Sequence, residues 1–243
     1  MNTGAIQHIE NNKTNKFRKN PQELLKWITN NLPNEKIVMG TGFGPPGIVL
    51  LDMLMKITKD ISVFYIDTDF LFDQTYDLRD RLEKKYDLKF RKFSSDLTPE
   101  LQSEKYGKKL WEKDPDACCK LRKVLPLKEA LSGYDIWITG IRKKQTQVRQ
   151  QANLIEYESR FEVIKINPLI NWSHDEVWEY IKTHDLPYNS LHDNNYPSIG
   201  CKQCTSPVCA GDDDRSGRWK GIKKTECGLH DSQAISLNKL KRK

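Results

Sequence analysis

Six cysteines carry the strongest chemical signal in the 243-residue chain, at positions 118, 119, 201, 204, 209 and 227. Cys118 and Cys119 are adjacent, in KDPDACCKLRKV, and Cys201 and Cys204 form a C-x-x-C pair, in SIGCKQCTSPV. Four thiolates from two distant segments are soft ligands that select zinc or an iron–sulfur cluster. The adjacent pair bears on the choice. Structural zinc sites space their cysteines by about two to four residues so that both sulfurs reach one ion. Neighbours on a helix diverge by about 100° and suit a cluster whose irons are separate. A buried cysteine pair, a vicinal disulfide and a zinc knuckle are the competing readings.

Cys227 stands apart in KGIKKTECGLH, among Lys220, Lys223, Lys224 and His230, with Glu226 opposing them. Cationic neighbours lower a thiol pKa and raise its thiolate fraction, and Gly228 beside it permits close backbone approach and a mobile segment. Such a cysteine suits covalent catalysis followed by handover to a second thiol protein. An exposed tail cysteine is the plain alternative. Cys209 has no partner at useful spacing and reads as a small core residue.

Anion-binding candidates lie in two kinds of segment. GTGFGPPG (40–47) sits between an apolar strand and a helix, where the backbone N–H groups around Thr41, Gly42, Phe43 and Gly44 favour phosphate or sulfate. It matches neither the Walker A loop nor G-x-G-x-x-G, and a glycine-rich turn is the alternative. The second kind is basic. Arg142, Lys143, Lys144 and Arg149 follow a strand ending at Gly140, Arg122 and Lys123 follow the cysteine pair, and Arg215 and Arg218 lie in DDDRSGRW. Each alone reads as a solvated surface charge; converging at the carboxyl ends of strands, they would clamp a polyanion.

The elements that must position these residues alternate. Short apolar runs at 37–39, 61–67, 88–93, 135–140 and 161–169 read as strands, and 48–57, 70–86, 116–131 and 171–184 as helices, with Ser173 and Glu176 forming a capping box. Strands alternating with helices imply an α/β fold with a parallel sheet. Beyond about 186 the pattern ends, and the stretch to 232, rich in Gly, Pro, Asp and Cys, must be held by something other than a hydrophobic core. The chain therefore divides into a basic extension (1–20), an α/β domain (21–186), a Cys-rich C-terminal region (187–232) and a basic tail (233–243).

Lys plus Arg number 40 against 33 Asp plus Glu, a net charge of +7. The two ends carry all of it, +3 in residues 1–20 and +4 in 233–243, so the neutral middle argues against nucleic acid as a partner. Mean hydropathy is −0.72. No apolar run reaches the ~18 residues of a membrane span, and MNTGAIQHIENNKTNKFRKN has no secretory h-region. A cytoplasmic location follows as the expectation, with no disulfide framework.

KDPDACCKLRKVLPL, TGIRKKQTQVR, INPLINWS, SIGCKQCTSPV, GDDDRSGRWKG and KTECGLH together resemble the assimilatory adenylyl-sulfate reductases, over about residues 35–232. The family reduces adenylyl sulfate (APS) or its 3′-phosphorylated form (PAPS) to sulfite. The resemblance implies an adenine-nucleotide hydrolase-like α/β sandwich, usually a homo-oligomer. It implies a 4Fe–4S cluster on Cys118, Cys119, Cys201 and Cys204, with Lys123 between cluster and substrate. Cys227 would be the nucleophile, forming an S-sulfonate that thioredoxin, or a glutaredoxin-like protein, reduces. Arg142, Arg149, Arg215 and Arg218 would grip phosphate and sulfate, and the GTGFG loop, Asp67, Thr68 and Gly140 would hold the nucleotide. Cluster-bearing members usually carry a Gly-Ala-Glu-Asp pattern in the first loop. Here Pro45–Pro46 replaces it, in a pattern that resembles fungal PAPS reductases. Without acidic side chains to repel a 3′-phosphate, the loop leans toward PAPS while the cysteines associate with APS. An ATP pyrophosphatase-type adenylyltransferase or thiolating enzyme of the same fold is the other enzyme reading. Its Ser-Gly-Gly-x-Asp-Ser loop is not matched by GTGFGP.

Overall fold

The computed structural model describes residues 17, 19–32 and 36–230. Both basic ends beyond these, 1–16 and 231–243, lie outside the described residues. A six-stranded sheet runs in the order β3-β2-β1-β4-β6-β5. Its strands are β1 (Ile37–Gly40), β2 (Ser62–Asp67), β3 (Arg91–Ser94), β4 (Ile136–Ile138), β5 (Ile155–Glu158) and β6 (Val163–Ile166). All pairings are parallel except β5 with β6, which form an antiparallel edge hairpin. The expected parallel sheet is therefore present with one unforeseen strand. IEYE (155–158) follows a 3-10 turn, Val148–Gln151, and carries two carboxylates, so it gives a weak strand signal.

Helices cover both faces. α1 (Pro21–Asn31) is capped by Asn20, whose side chain accepts from Glu23 N at 3.1 Å. α2 (Pro45–Met55) buries Ile48, Val49, Leu50, Leu51, Met53 and Leu54, and its one charged residue, Asp52, is buried too, so it is a core helix rather than a surface one. With α1, α3 (Asp73–Tyr86) and α8 (His174–Thr183) it packs the larger core. The capping box at Ser173 and Glu176 forms as expected. The opposite face is smaller. There Val38, Phe64, Trp137 and Val163 of the sheet meet Leu127, Ala130 and Leu131 of α7 (Leu125–Leu131).

The chain builds β1, β2 and β3 outward in one direction, then returns to place β4 on the other side of β1. That reversal opens a crevice at the carboxyl ends of β1 and β4, the place where open α/β sheets bind ligands. Gly140, just past β4, lies against the start of α2. A Cβ there would stand 3.1 Å from backbone atoms of Pro46 and Gly47. The Gly140→Ala protein is expected to lose about 1–3 kcal/mol of stability through this forced overpacking, read as a lower urea midpoint at unchanged m-value.

Residues 187–230 contain only short 3-10 turns and no helix or strand. Polar links tie this segment to the α/β body. Asn189 Nδ2 donates to Thr75 Oγ1 at 3.1 Å, Arg81 Nη2 to the Tyr188 carbonyl at 2.8 Å, and Lys202 N to the Phe70 carbonyl at 2.8 Å.

Candidate active site

The cysteine pair is placed by a helix that changes pitch. α6 (Pro115–Cys119) starts at Asp114, whose side chain accepts from Ala117 N at 2.9 Å, and runs directly into a π-helical turn, Lys120–Val124. Such wide turns concentrate at functional sites, and this one buries both Arg122 and Lys123. On the other side, Thr205 Oγ1 donates to the Cys201 carbonyl at 2.9 Å and accepts from Gly200 N at 3.2 Å, which shapes the C-x-x-C turn. Cys118, Cys119, Cys201 and Cys204 then line one small cavity, together with Phe70 and Trp111.

The chemistry of this cavity suits a cationic iron–sulfur group. All four thiols are free, and burial pushes Cys119 up to about 12 and Cys204 up to about 11, so these two hold their protons until positive charge arrives. Arg122 lines the same cavity. Its Nε donates to Gln102 at 2.6 Å and its Nη1 to Asp69 at 2.6 Å, while its Nη2 is buried with no hydrogen-bond partner among the described residues. A sulfide is a fitting acceptor for that donor. Cys201 Sγ also donates to Thr68 Oγ1 at 3.3 Å. Among the described residues no group of three or more His, Cys, Asp or Glu surrounds a single ion; the four sulfurs share a cavity rather than a point.

A second cavity of about 440 Å³ occupies the crevice at the carboxyl ends of the strands. Thr41, Gly42, Gly44, Thr68 and Gly140 line it, as do Arg142, Arg215 and Arg218. Lys123 and Cys201 lie in the walls of both cavities. Two guanidinium nitrogens here, Arg142 Nε and Arg218 Nε, are buried without a hydrogen-bond partner among the described residues. Buried donors of this kind are costly unless a ligand pairs with them, and their charge specifies an anion. Trp219, itself buried, holds the guanidiniums of Arg218 and Arg215 over its ring, at 4.6 and 5.8 Å. Trp219 N donates to the Cys204 carbonyl at 3.1 Å, so the R-S-G-R-W segment is tied to the C-x-x-C turn.

Cys227 reaches this cavity on an arm that crosses the smaller face of the sheet. Glu226 meets Arg149 in a two-pronged pair, at 2.9 and 3.0 Å, and accepts from Thr146 Oγ1 at 2.8 Å. Burial alone would raise the Glu226 carboxyl, but Arg149 and Arg215 hold it below its ordinary value. On the far side of Cys227, Leu229 joins the smaller core and His230 stacks on Trp137, with ring centres 5.2 Å apart. Burial also works against the Cys227 thiolate. The Lys123 ammonium and the Leu229 N–H outweigh it, so the thiol lies below the ordinary value of 9.0. Burial likewise opposes the Lys123 charge, and Cys201 and Cys227 raise its pKa nonetheless.

The structure differs from the sequence expectation at several residues. Asp67 does not line the cavity. It accepts from Tyr76 Oη at 2.7 Å and pairs with Lys92 at 3.1 Å, so its charge is already matched. Phe43 lines the cavity as expected, with its ring packed 5.1 Å from Phe90 and its backbone left-handed (φ 58°). Pro45 and Pro46 fill the first two positions of α2, so the helix start lacks two amide donors and offers an anion less than a glycine-rich loop usually does. Arg149 lines the cavity as expected, but its guanidinium is already engaged there by Glu226 and Gln145. Cys209 is exposed rather than a core residue, because it opens a tight turn in which its N–H donates to Asp212 at 3.3 Å. Trp137, Thr146 and Ser198, which accepts from Arg218 Nη1 at 3.3 Å, take part in the site without any spacing signal in the sequence.

Residues 36–207 match the family model described as the phosphoadenosine phosphosulfate reductase domain. An adenosine 5′-phosphosulfate reductase of Halalkalibacterium halodurans is 45% identical over 214 residues, covering 88% of this chain and 92% of the relative. The crystal structure of phosphoadenylyl-sulfate reductase from Candida auris, in a phosphate complex, superposes with a TM-score of 0.68 at 34% identity, over 80% of this chain and 95% of that one. FMN adenylyltransferase of Candida glabrata shares the fold alone, with a TM-score of 0.57 at 14% identity, over 93% of this chain and 79% of that one.

The pairing of Lys123 with Cys227 makes a pH prediction. A thiol held down by a cation gains thiolate at lower pH than an ordinary one, and loses that advantage when the cation goes. Iodoacetamide labelling of Cys227, followed by peptide mass mapping, should show a pH midpoint below the ordinary thiol value. In Lys123→Met the midpoint should move upward; an unmoved midpoint would show that Lys123 does not face the sulfur.

Proposed function

The chain belongs to the phosphoadenosine phosphosulfate reductase family, oxidoreductases acting on sulfur, and we propose that it reduces adenylyl sulfate to sulfite and AMP through an S-sulfonate on Cys227. One observation carries the reading. A half-buried cysteine with a lowered pKa opens onto the same cavity as two arginines whose buried Nε donors have no partner among the described residues. Anion recognition and a sulfur nucleophile are thereby brought to one place.

The chemistry follows from those residues. The Cys227 thiolate attacks the sulfonyl sulfur, the bond from that sulfur to the bridging phosphate oxygen breaks, and AMP leaves with the electron pair. Arg142 and Arg218 neutralise the charge that builds on the leaving phosphate, which such a displacement needs more than a proton donor. Lys123 keeps the incoming sulfur ionised. A dithiol protein, thioredoxin or one of glutaredoxin type, then attacks Cys227 Sγ, and sulfite departs with the S–S bonding pair. The mixed disulfide is resolved by the reductant's second thiol. The reductant supplies the two electrons of the overall change.

A 4Fe–4S cluster held by Cys118, Cys119, Cys201 and Cys204 is part of the proposal. When bound, it supplies an electrostatic field beside Lys123 and fastens the coreless C-terminal segment to the α/β body. The homo-oligomeric state implied by the resemblance and the cytoplasmic location expected from the sequence belong to the same reading. No helix among the described residues is long and apolar enough to cross a membrane.

The bacterial relative's name favours APS, and the phosphate complex of the fungal relative is of a PAPS enzyme. Because no acidic side chain stands at Gly44–Gly47, a 3′-phosphate meets no repulsion there, and PAPS is expected to be accepted as well. The test compares kcat/KM for APS and PAPS with thioredoxin present. Sulfite release from at least one of them, abolished in Cys227→Ser, is expected. Sulfite release by the Cys227→Ser protein would overturn the role of that residue. The purified protein should be brown, with about four irons per chain, and Cys201→Ser should lose the colour; a colourless, zinc-loaded protein would sink the cluster.

A further inference from the structure

Outside the cavity walls, one charged side chain grips the arm by its backbone. Arg160 lies in the turn between β5 and β6. Its Nε and Nη2 donate to the two carboxylate oxygens of Glu158, each at 2.9 Å, and Glu158 is fully buried. The guanidinium is thus fixed in place, and it lies 5.0 Å over the Phe161 ring. From that position Nη1 donates to the Gly228 carbonyl at 2.7 Å and Nη2 to the Leu229 carbonyl at 3.4 Å. These are the two residues that follow the nucleophile.

The arm therefore has polar anchors on both sides of Cys227, and they differ in kind. The Glu226 anchor on Arg149 and Arg215 lies among the cations of the substrate cavity. An entering anion competes with Glu226 for those guanidiniums. Arg160 does not line that cavity, and its acceptors are carbonyls rather than a carboxylate, so an anion in the cavity leaves its grip intact. Gly228 adopts φ +81° and a Cβ there would come within 3.3 Å of Val124, so the arm passes tightly over the π-helical turn at the point where Arg160 holds it.

Resting on the reductase reading, we propose that Arg160 is a positioning residue: it keeps the Cys227 arm seated while sulfur is transferred, and its release governs how readily a second thiol reaches the S-sulfonate. The antiparallel β5–β6 hairpin, the one departure from the parallel sheet, then has a task, which is to carry a buried carboxylate that aims Arg160 at the arm.

Two variants test this. Arg160→Lys keeps the charge opposite Glu158 but loses the planar fork that reaches both carbonyls. Glu158→Gln/Arg160→Gln removes both charges together, so no carboxylate is left buried and unpaired. Folding is checked by thermal melting. Labelling of Cys227 by iodoacetamide in substrate-free protein should quicken about tenfold, the effect of losing one hydrogen bond from a charged donor. Formation of the Cys227 S-sulfonate from APS in a single turnover should slow by about the same factor. Its cleavage by dithiothreitol should quicken. That opposed response of the two half-reactions is what a merely structural role would not produce. Unchanged labelling in folded variants overturns the proposal, as does equal slowing of both half-reactions. Failure of both variants to fold also overturns it, because the turn would then serve stability. If the wild-type protein forms no adduct with APS or PAPS, the reductase reading fails, while the labelling comparison still decides whether Arg160 holds the arm.

Discussion

A single buried ammonium, that of Lys123, stands in the wall between the two cavities, and the site is organised around keeping it charged. Burying an isolated charge is expensive. The structure offsets the cost by facing Lys123 with sulfur from both sides, Cys201 of the cysteine cavity and Cys227 of the arm. The same placement lowers the Cys227 thiol, so the cost of burying the lysine is turned into thiolate character on that sulfur. Moving Lys123 would uncouple the arm from the cysteine cavity.

Three sequence segments must meet for this to happen, and only one of them belongs to a conventional core. Lys123 comes from the π-helical turn that links α6 to α7. Cys201 comes from a 3-10 turn, and Cys227 from an arm without regular structure. The last two lack an apolar core of their own. Trp219 with its surrounding cations, the pair between Glu226 and Arg149, and the stacking of His230 on Trp137 take its place. Interactions of this sort keep a segment in position while leaving it free to move, which suits the proposed role of Cys227, to meet first a nucleotide and then a protein thiol.

Much of the frame was legible in the sequence because it rests on local pattern. Apolar runs marked five of the six strands, the Ser173–Glu176 box marked the start of α8, and cysteine spacing singled out the residues that now line one cavity. What escaped depends on partners far along the chain. Asp67 reads as a ligand-facing acid at a strand end until Tyr76 and Lys92 are seen to take its charge. Arg149 reads as an open clamp until Glu226, 77 residues away, closes on it. β5 is too short and too acidic to announce itself, yet its buried Glu158 places Arg160 on the arm.

The central claim is that Cys227, seated against Lys123, expels the nucleotide by itself before any reductant acts. Rapid mixing of the purified enzyme with APS in the complete absence of thiols tests this most directly, with AMP measured against time. The account predicts a burst of one AMP per chain that then stops and is absent in Cys227→Ser. Continuous AMP release without thiol, or no release until thioredoxin is added, would contradict it.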